Sequence, residues 1–144
     1  MIDSRLNWNK SVSLLEKGLD TAELRRKVIA NNIANVDTPH FKRTQVTFEA
    51  QLRRALDSEE YVKKNEVPAR VTDERHIPFF KSLDYRETKA RPVIDYLTTM
   101  RNDGNNVDVE HEMSLAVKNQ LTYEFMTSQI NHHFRIMNIV MRAP

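Results

Sequence analysis

Glu110-His111-Glu112 sets two carboxylates beside an imidazole, the residue types that hold zinc or move protons. A helical zinc pair needs a second histidine one turn further on, and positions 115 and 116 are Leu and Ala. The triplet therefore reads as an exposed first helical turn. His132 and His133 point to adjacent helix faces, so they cannot share a metal from one face. Asp103-Gly104-Asn105-Asn106-Val107-Asp108 offers the acid and amide oxygens of a calcium loop, but its glycine stands second where such a loop needs it sixth. A turn followed by a helix N-cap accounts for the same residues. Arg25-Arg26-Lys27 and Lys63-Lys64 are short charge runs of the kind that face solvent. No nucleophile and base can be paired. Accordingly, no catalytic residue, metal ligand or cofactor site is assigned.

The chemistry that does stand out is that of amides. In Ala30-Asn31-Asn32-Ile33-Ala34-Asn35-Val36-Asp37-Thr38-Pro39-His40-Phe41-Lys42-Arg43, three asparagines crowd the last turns of an amphipathic helix. Asn is a mediocre helix former, and its amide hydrogen-bonds where Leu would fill a core. Thr38-Pro39 ends the helix, because a residue before proline is pushed out of the α region. Leu24, Val28, Asn31 and Asn35 share a narrow arc at 100° per residue. Leu24, Val28, Asn31, Asn32, Asn35 and Pro39 are therefore expected at a contact with another chain.

Composition narrows the classes. At 144 residues the chain is long enough for one domain with a modest core. It is 40% hydrophobic and 29% charged with a net charge of +2, and its acids and bases interleave. No electrostatic footprint of a nucleic-acid binder results. Zero cysteines exclude disulfides and thiolate sites, and two glycines leave no phosphate-cradling loop. No apolar run spans a bilayer, and the first residues lack the layout of a cleaved secretory signal.

The elements that position these residues are long helices at both ends. Trp8, Val12, Leu15, Leu19, Ala22, Arg26, Ile29 and Ile33 alternate spacings of four and three, which predicts a coiled-coil seam on a helix from about Trp8 to Val36. Asp108 is the predicted N-cap of a second helix, with the seam Val109, Met113, Ala116, Gln120, Tyr123, Thr127, Ile130, Phe134, Met137 and Met141. Val117, Leu121, Phe125, Ile136 and Ile139 lie off that seam, so this helix needs more than one neighbour, and Leu121, Phe125, Ile136 and Ile139 are expected at a contact with another chain. The expected fold is mainly α, with the terminal helices paired as an antiparallel coiled coil. Its divisions are an N-terminal helix over 1–37, a mostly irregular segment over 38–107 and a C-terminal helix over 108–144. Within the middle, Val46, Phe48, Leu52 and Leu56 predict a short helix before Asp57, and short strands are expected at Ala69-Val71 and Pro92-Tyr96.

The run from Ala30 to Arg43 resembles the N-terminal signature of the flagellar rod and hook family, roughly ANNIANxxTPGYKR, departing at His40 and Phe41 where the family usually has Gly and Tyr. Asp103-Gly104-Asn105-Asn106-Val107-Asp108-Val109-Glu110 resembles the DGNxVDxE segment that precedes the last helix in a proximal rod member. Arg75-His76-Ile77 and the tail from Asn119 to Met141 are also similar to that member. The resemblance implies a structural subunit of the basal-body rod, polymerising through its terminal helices between the MS-ring and the distal rod. The partners it implies are copies of the chain itself, other rod proteins, the MS-ring protein, the rod-adaptor protein and the flagellar type III export apparatus. Localisation would be the periplasmic rod, reached without a cleaved signal peptide. Neither a nucleic acid nor a small-molecule substrate is expected.

The resemblance also implies an export element of the form Phe-x-x-x-apolar, and Phe48 with Leu52 fits that form. So does Phe79 with Leu83, and Phe48 and Leu52 also read simply as core residues of a short helix. Two other classes stay open. One is a soluble helical-hairpin adaptor that binds a partner helix in a groove. The other is an enzyme with its site in the irregular middle, which would need a ligand-sized pocket and a perturbed carboxylate or histidine.

Overall fold

The computed structural model describes residues 3–64, 73, 75 and 82–142. Along the chain come α1 (Asp3–Ala34), β1 (Thr44–Thr47), α2 (Glu49–Lys64), a 3-10 turn (Tyr85–Glu87), β2 (Arg91–Ile94) and α3 (Val109–Arg142). The architecture is mainly α, with a two-stranded sheet of β1 and β2. Two compact units result: Met1–Val46 with Ala90–Pro144, and Thr47–Lys89.

In the first unit, α1 begins before Trp8 and stops at Ala34, short of the expected Val36. Its last turn tightens as Asn35 N–H is shared between the carbonyls of Asn31 and Asn32, both at 3.2 Å, and Val36 N–H bonds Ile33 at 3.3 Å. Helix α3 starts as expected. Asp108 Oδ1 accepts from the N–H groups of Glu110 at 3.0 Å and His111 at 3.3 Å, which satisfies donors that an uncapped helix leaves orphaned.

Contacts between α1 and α3 can be followed along their length. Asn32 meets Glu112, the Ala22 carbonyl accepts from Asn119 Nδ2 at 2.8 Å, and Gly18 faces Met126. Trp8 and His133 meet edge-to-face with ring centroids 4.6 Å apart. As numbering falls along α1 it rises along α3. Each of Gly18, Asn32, Glu112, Asn119, Met126 and His133 stands one position before a residue expected in the seam: Leu19, Ile33, Met113, Gln120, Thr127 and Phe134.

At Gly18, Asn32 and Glu112 the contact uses a small or hydrogen-bonding residue, whereas the hydrophobic pattern favours the larger apolar neighbour, Leu19, Ile33 or Met113. Met113, Tyr123, Phe134 and Met137 are accordingly exposed by 57%, 41%, 48% and 38%. Ile29 is buried, whereas Val12, Leu15, Leu19, Ile33 and Ile130 are half-buried and Arg26 is exposed. The seam positions Trp8, Ala22 and Ile29 do face inward or lie in the contact.

The irregular middle holds more structure than expected. Strand β2 covers much of Pro92-Tyr96 and pairs with β1, while Ala69-Val71 lies outside the described residues. Asp95 N–H donates to the Arg43 carbonyl at 2.9 Å, placing the start of β1 beside the end of β2, so the strands run antiparallel. Val46, expected in the short helix, belongs to β1 in the first unit, and in the second unit α2 continues through Asp57 to Lys64 instead of stopping before it. Good helix formers carry α2 onward, a 3.0 Å Lys63–Glu59 pair spans one turn, and Lys63 and Lys64 sit favourably at the C-terminal dipole. Ala55 and Phe48 are this unit's buried residues among those described.

Candidate subunit interface

Asn32 is 1% exposed and fully engaged within the chain. Its Nδ2 donates to the Thr44 carbonyl at 2.8 Å, and its Oδ1 accepts from Thr44 N–H at 3.0 Å. The side-chain amide thus pairs with β1 as a strand backbone would. Nδ2 also donates to Glu112 Oε2 at 3.1 Å, while Arg43 Nε donates to Glu112 Oε1. Glu112 has no exposed surface, so the expected exposed turn at Glu110-His111-Glu112 is corrected at this residue. Burial is tolerated because an opposite charge and an amide donor take its two oxygens.

Asn105 and Asn106 complete the junction. Asn105 Nδ2 points at the carbonyls of Asn35, Val36 and Thr38, at 3.2, 3.0 and 3.0 Å, and Arg101 adds a 2.8 Å bond to Val36. These carbonyls belong to the turn that follows α1, where those of Asn35 and Thr38 also accept from the N–H groups of Thr38 and Phe41. Asn105 Oδ1 accepts from Val107 N–H at 2.7 Å. Asn106 Nδ2 donates to the Asp95 carbonyl and the Thr98 hydroxyl, both at 2.9 Å, and its Oδ1 accepts from Arg43 N–H. The predicted turn cluster is therefore a fully bonded knot that joins the end of α1, the strand pair and the start of α3. Asn105, Asn106, Arg43 and Glu112 were not singled out from sequence as residues of this junction. Two adjacent amides between aspartates, in a chain already rich in amides at the end of α1, are the signal that points to them.

His40 explains one departure from the family signature. Its φ is +61°, in the left-handed region where glycine is unstrained and histidine is tolerated. His40 N–H donates to the Asp103 carbonyl at 3.0 Å, next to Gly104 at φ +81°.

The remaining expected interface residues divide by exposure. Asn31 and Pro39 are exposed, while Leu24, Val28 and Asn35 are half-buried. The Asn35 amide serves its own turn, donating to the Asn31 carbonyl at 2.8 Å. Asn32 is withdrawn from any outer surface. On α3, Leu121, Phe125, Ile136 and Ile139 are exposed by 62%, 63%, 38% and 64%. A groove of about 520 Å³ runs along another side of α3, lined by Gln120, Tyr123, Glu124, Thr127, Asn131 and Arg135 among others. Phe48 is buried at 5% exposure and Leu52 half-buried, whereas Phe79, His76 and Ile77 lie outside the described residues. No described helix is long and apolar enough to cross a membrane.

Residues 15–42, from α1 into the turn before β1, match the family model described as flagella basal body rod protein. The flagellar basal body rod protein FlgB of Borreliella burgdorferi is 39% identical over 136 residues, covering 94% of this chain and 98% of that protein. The FlgB of Borrelia hermsii is 43% identical over 94% of this chain and 98% of its own length. That of Bacillus subtilis is 32% identical over 93% and 95%. Identity at this level, carried across nearly the full length of both chains, means that the chain belongs to the FlgB family of flagellar basal body rod proteins, structural subunits of that rod.

Proposed function

We propose that this rod subunit takes the cell-proximal position and polymerises through its terminal helices, with α1 and α3 paired as an antiparallel coiled coil. The opposite running of their contacts supports the pairing. The neighbours are copies of the chain, other rod proteins, the MS-ring protein and the rod-adaptor protein. The type III export apparatus delivers it to the periplasmic space without cleaving a signal peptide. If Phe48 and Leu52 form the export element, it is read from the unfolded chain, since folding buries Phe48.

The observation that carries this reading is the apolar side of α3 left in solvent at Leu121, Phe125, Ile136 and Ile139. Burying such side chains yields about 1.5–3 kcal/mol each, a gain open to the assembled subunit and not to the lone chain. Leu24, Val28, Asn31, Asn35 and Pro39 form the second contact, on α1 and its terminal turn. Leu121→Glu combined with Phe125→Glu tests the proposal. The variant keeps its helical circular dichroism but enters no rod, and cells carrying it do not swim. Normal motility in that strain overturns the reading.

A further inference from the structure

In an antiparallel pair, successive residues turn their N–H and C=O groups alternately toward the partner strand and away from it. Asp95, the first residue of the loop that follows β2, donates its N–H to the Arg43 carbonyl at 2.9 Å, which fixes that phase. Arg43 and Gln45 therefore address β2, while Thr44 and Val46 address the other side. The bonds on the other side agree. Asn32 takes both backbone groups of Thr44, and the Val46 carbonyl accepts from Arg25 Nη2 at 3.4 Å. Side chains of α1 thus cover the outer edge of β1.

By the same phase Val93 and Asp95 address β1, and Pro92 and Ile94 turn their backbone outward. Among the described residues no strand lies beyond β2. All four residues of β2 are exposed, Val93 by 49% and Ile94 by 43%. An exposed edge that carries β-branched residues is a template for a further strand. The simplest partner is the same edge of a second copy, because two antiparallel strands related by a two-fold axis are self-complementary. In that pairing the outward residues meet, so Pro92 of one copy stands opposite Ile94 of the other and Val93 opposite Val93. Each rung then calls on proline for a donor that it lacks. Half of the bonds are lost, and the pairing is unfavourable.

We propose that Pro92 guards this edge and keeps β2 from pairing with β2 of a second copy. Within the chain the missing N–H deprives nothing, since position 92 faces away from β1. Copies that gather in one structure are thereby left to meet through other surfaces. The guard follows from strand geometry and does not depend on the use of the α3 face proposed above, so either can fail without the other.

The chain has no cysteine, so Val93→Cys supplies a single thiol at the position that would face itself. Facing Cα atoms of such a pair lie about 4.5 Å apart, within disulfide reach. Full-length Val93→Cys and Pro92→Thr/Val93→Cys are oxidised mildly at equal concentration. The double variant yields roughly tenfold more linked dimer, with its helical circular dichroism unchanged. Pro92→Ala/Val93→Cys also restores the N–H, gives a rise in the same direction, and decides the matter if the threonine variant does not fold. Moving the guard along the strand, as Pro92→Thr/Val93→Cys/Ile94→Pro, returns the yield to that of Val93→Cys. The gain is confined to the edge, so Pro92→Thr does not raise linking through Leu97→Cys, an exposed position beyond the strand. Equal yields with and without Pro92, or an equal rise at position 97, overturn the guard.

Discussion

Asn32 Nδ2 and Glu112 Oε2 lie 3.1 Å apart although their residues are separated by 80 positions, and Arg43 takes the other carboxylate oxygen. This contact ties the last turns of α1 to the first turn of α3. Removing one member of a buried charged pair leaves the other without compensation. Glu112→Ala is expected to lose about 3–5 kcal/mol of stability, and Glu112→Gln less, since it keeps an acceptor for Arg43. Urea midpoints compared with exposed Glu110→Ala check this, and equal midpoints for the two alanine variants refute it.

The asparagines of α1 are expected to separate in the same assay. Asn32→Ala strips Thr44 of both its side-chain bonds and costs about 1–3 kcal/mol. Asn31 is exposed, so Asn31→Ala changes stability by no more than about 0.5 kcal/mol. If the outer amide serves the rod, Asn31→Ala impairs motility at unchanged stability. A stability loss at position 31 equal to that at 32 contradicts the assignment.

Much of this division was legible in the sequence. The amide run, the Asp108 cap and the two long helices all follow from local rules that single residues obey. The half-step of the helix contact was not legible. Periodicity ranks positions by apolar character, and Leu19, Ile33 and Met113 outrank Gly18, Asn32 and Glu112, which are favoured by close approach and hydrogen bonding instead. Likewise Asn105 looks like a turn residue until the carbonyls at the end of α1, about 70 positions away, are placed beside it. Long-range satisfaction of polar groups is a tertiary property, and composition carries no direct trace of it.

Gly104 and His40 are expected to be coupled. A Cβ on Gly104 would lie 2.9 Å from His40 Nδ1, and φ there is +81°. Gly104→Ala therefore destabilises by about 1–2 kcal/mol through backbone conformation alone, with a further cost from the imidazole. His40→Gly removes the imidazole and relaxes the left-handed position. The double variant is then less destabilised than the sum of the single changes. Strict additivity in a double-mutant cycle excludes the contact.

Asp95 makes the loop sensitive to acid. Its carboxyl is held below the usual carboxylate range, chiefly by the Thr98 hydroxyl and then by the Thr98 and Leu97 N–H groups and the charge of Arg43, against an opposing effect of desolvation. The folded chain therefore binds this proton less readily than the unfolded one. The contribution of the turn is complete above the unfolded value of about 3.9 and is lost as pH falls through the lower folded value. Amide resonances of Leu97 and Thr98, followed by nuclear magnetic resonance, are expected to stay constant near neutrality and shift together below the ordinary aspartate range. Thr98→Val removes the strongest of these bonds, so the midpoint of that shift moves upward, toward the ordinary value. An unchanged midpoint in Thr98→Val means that the hydroxyl does not hold the carboxylate.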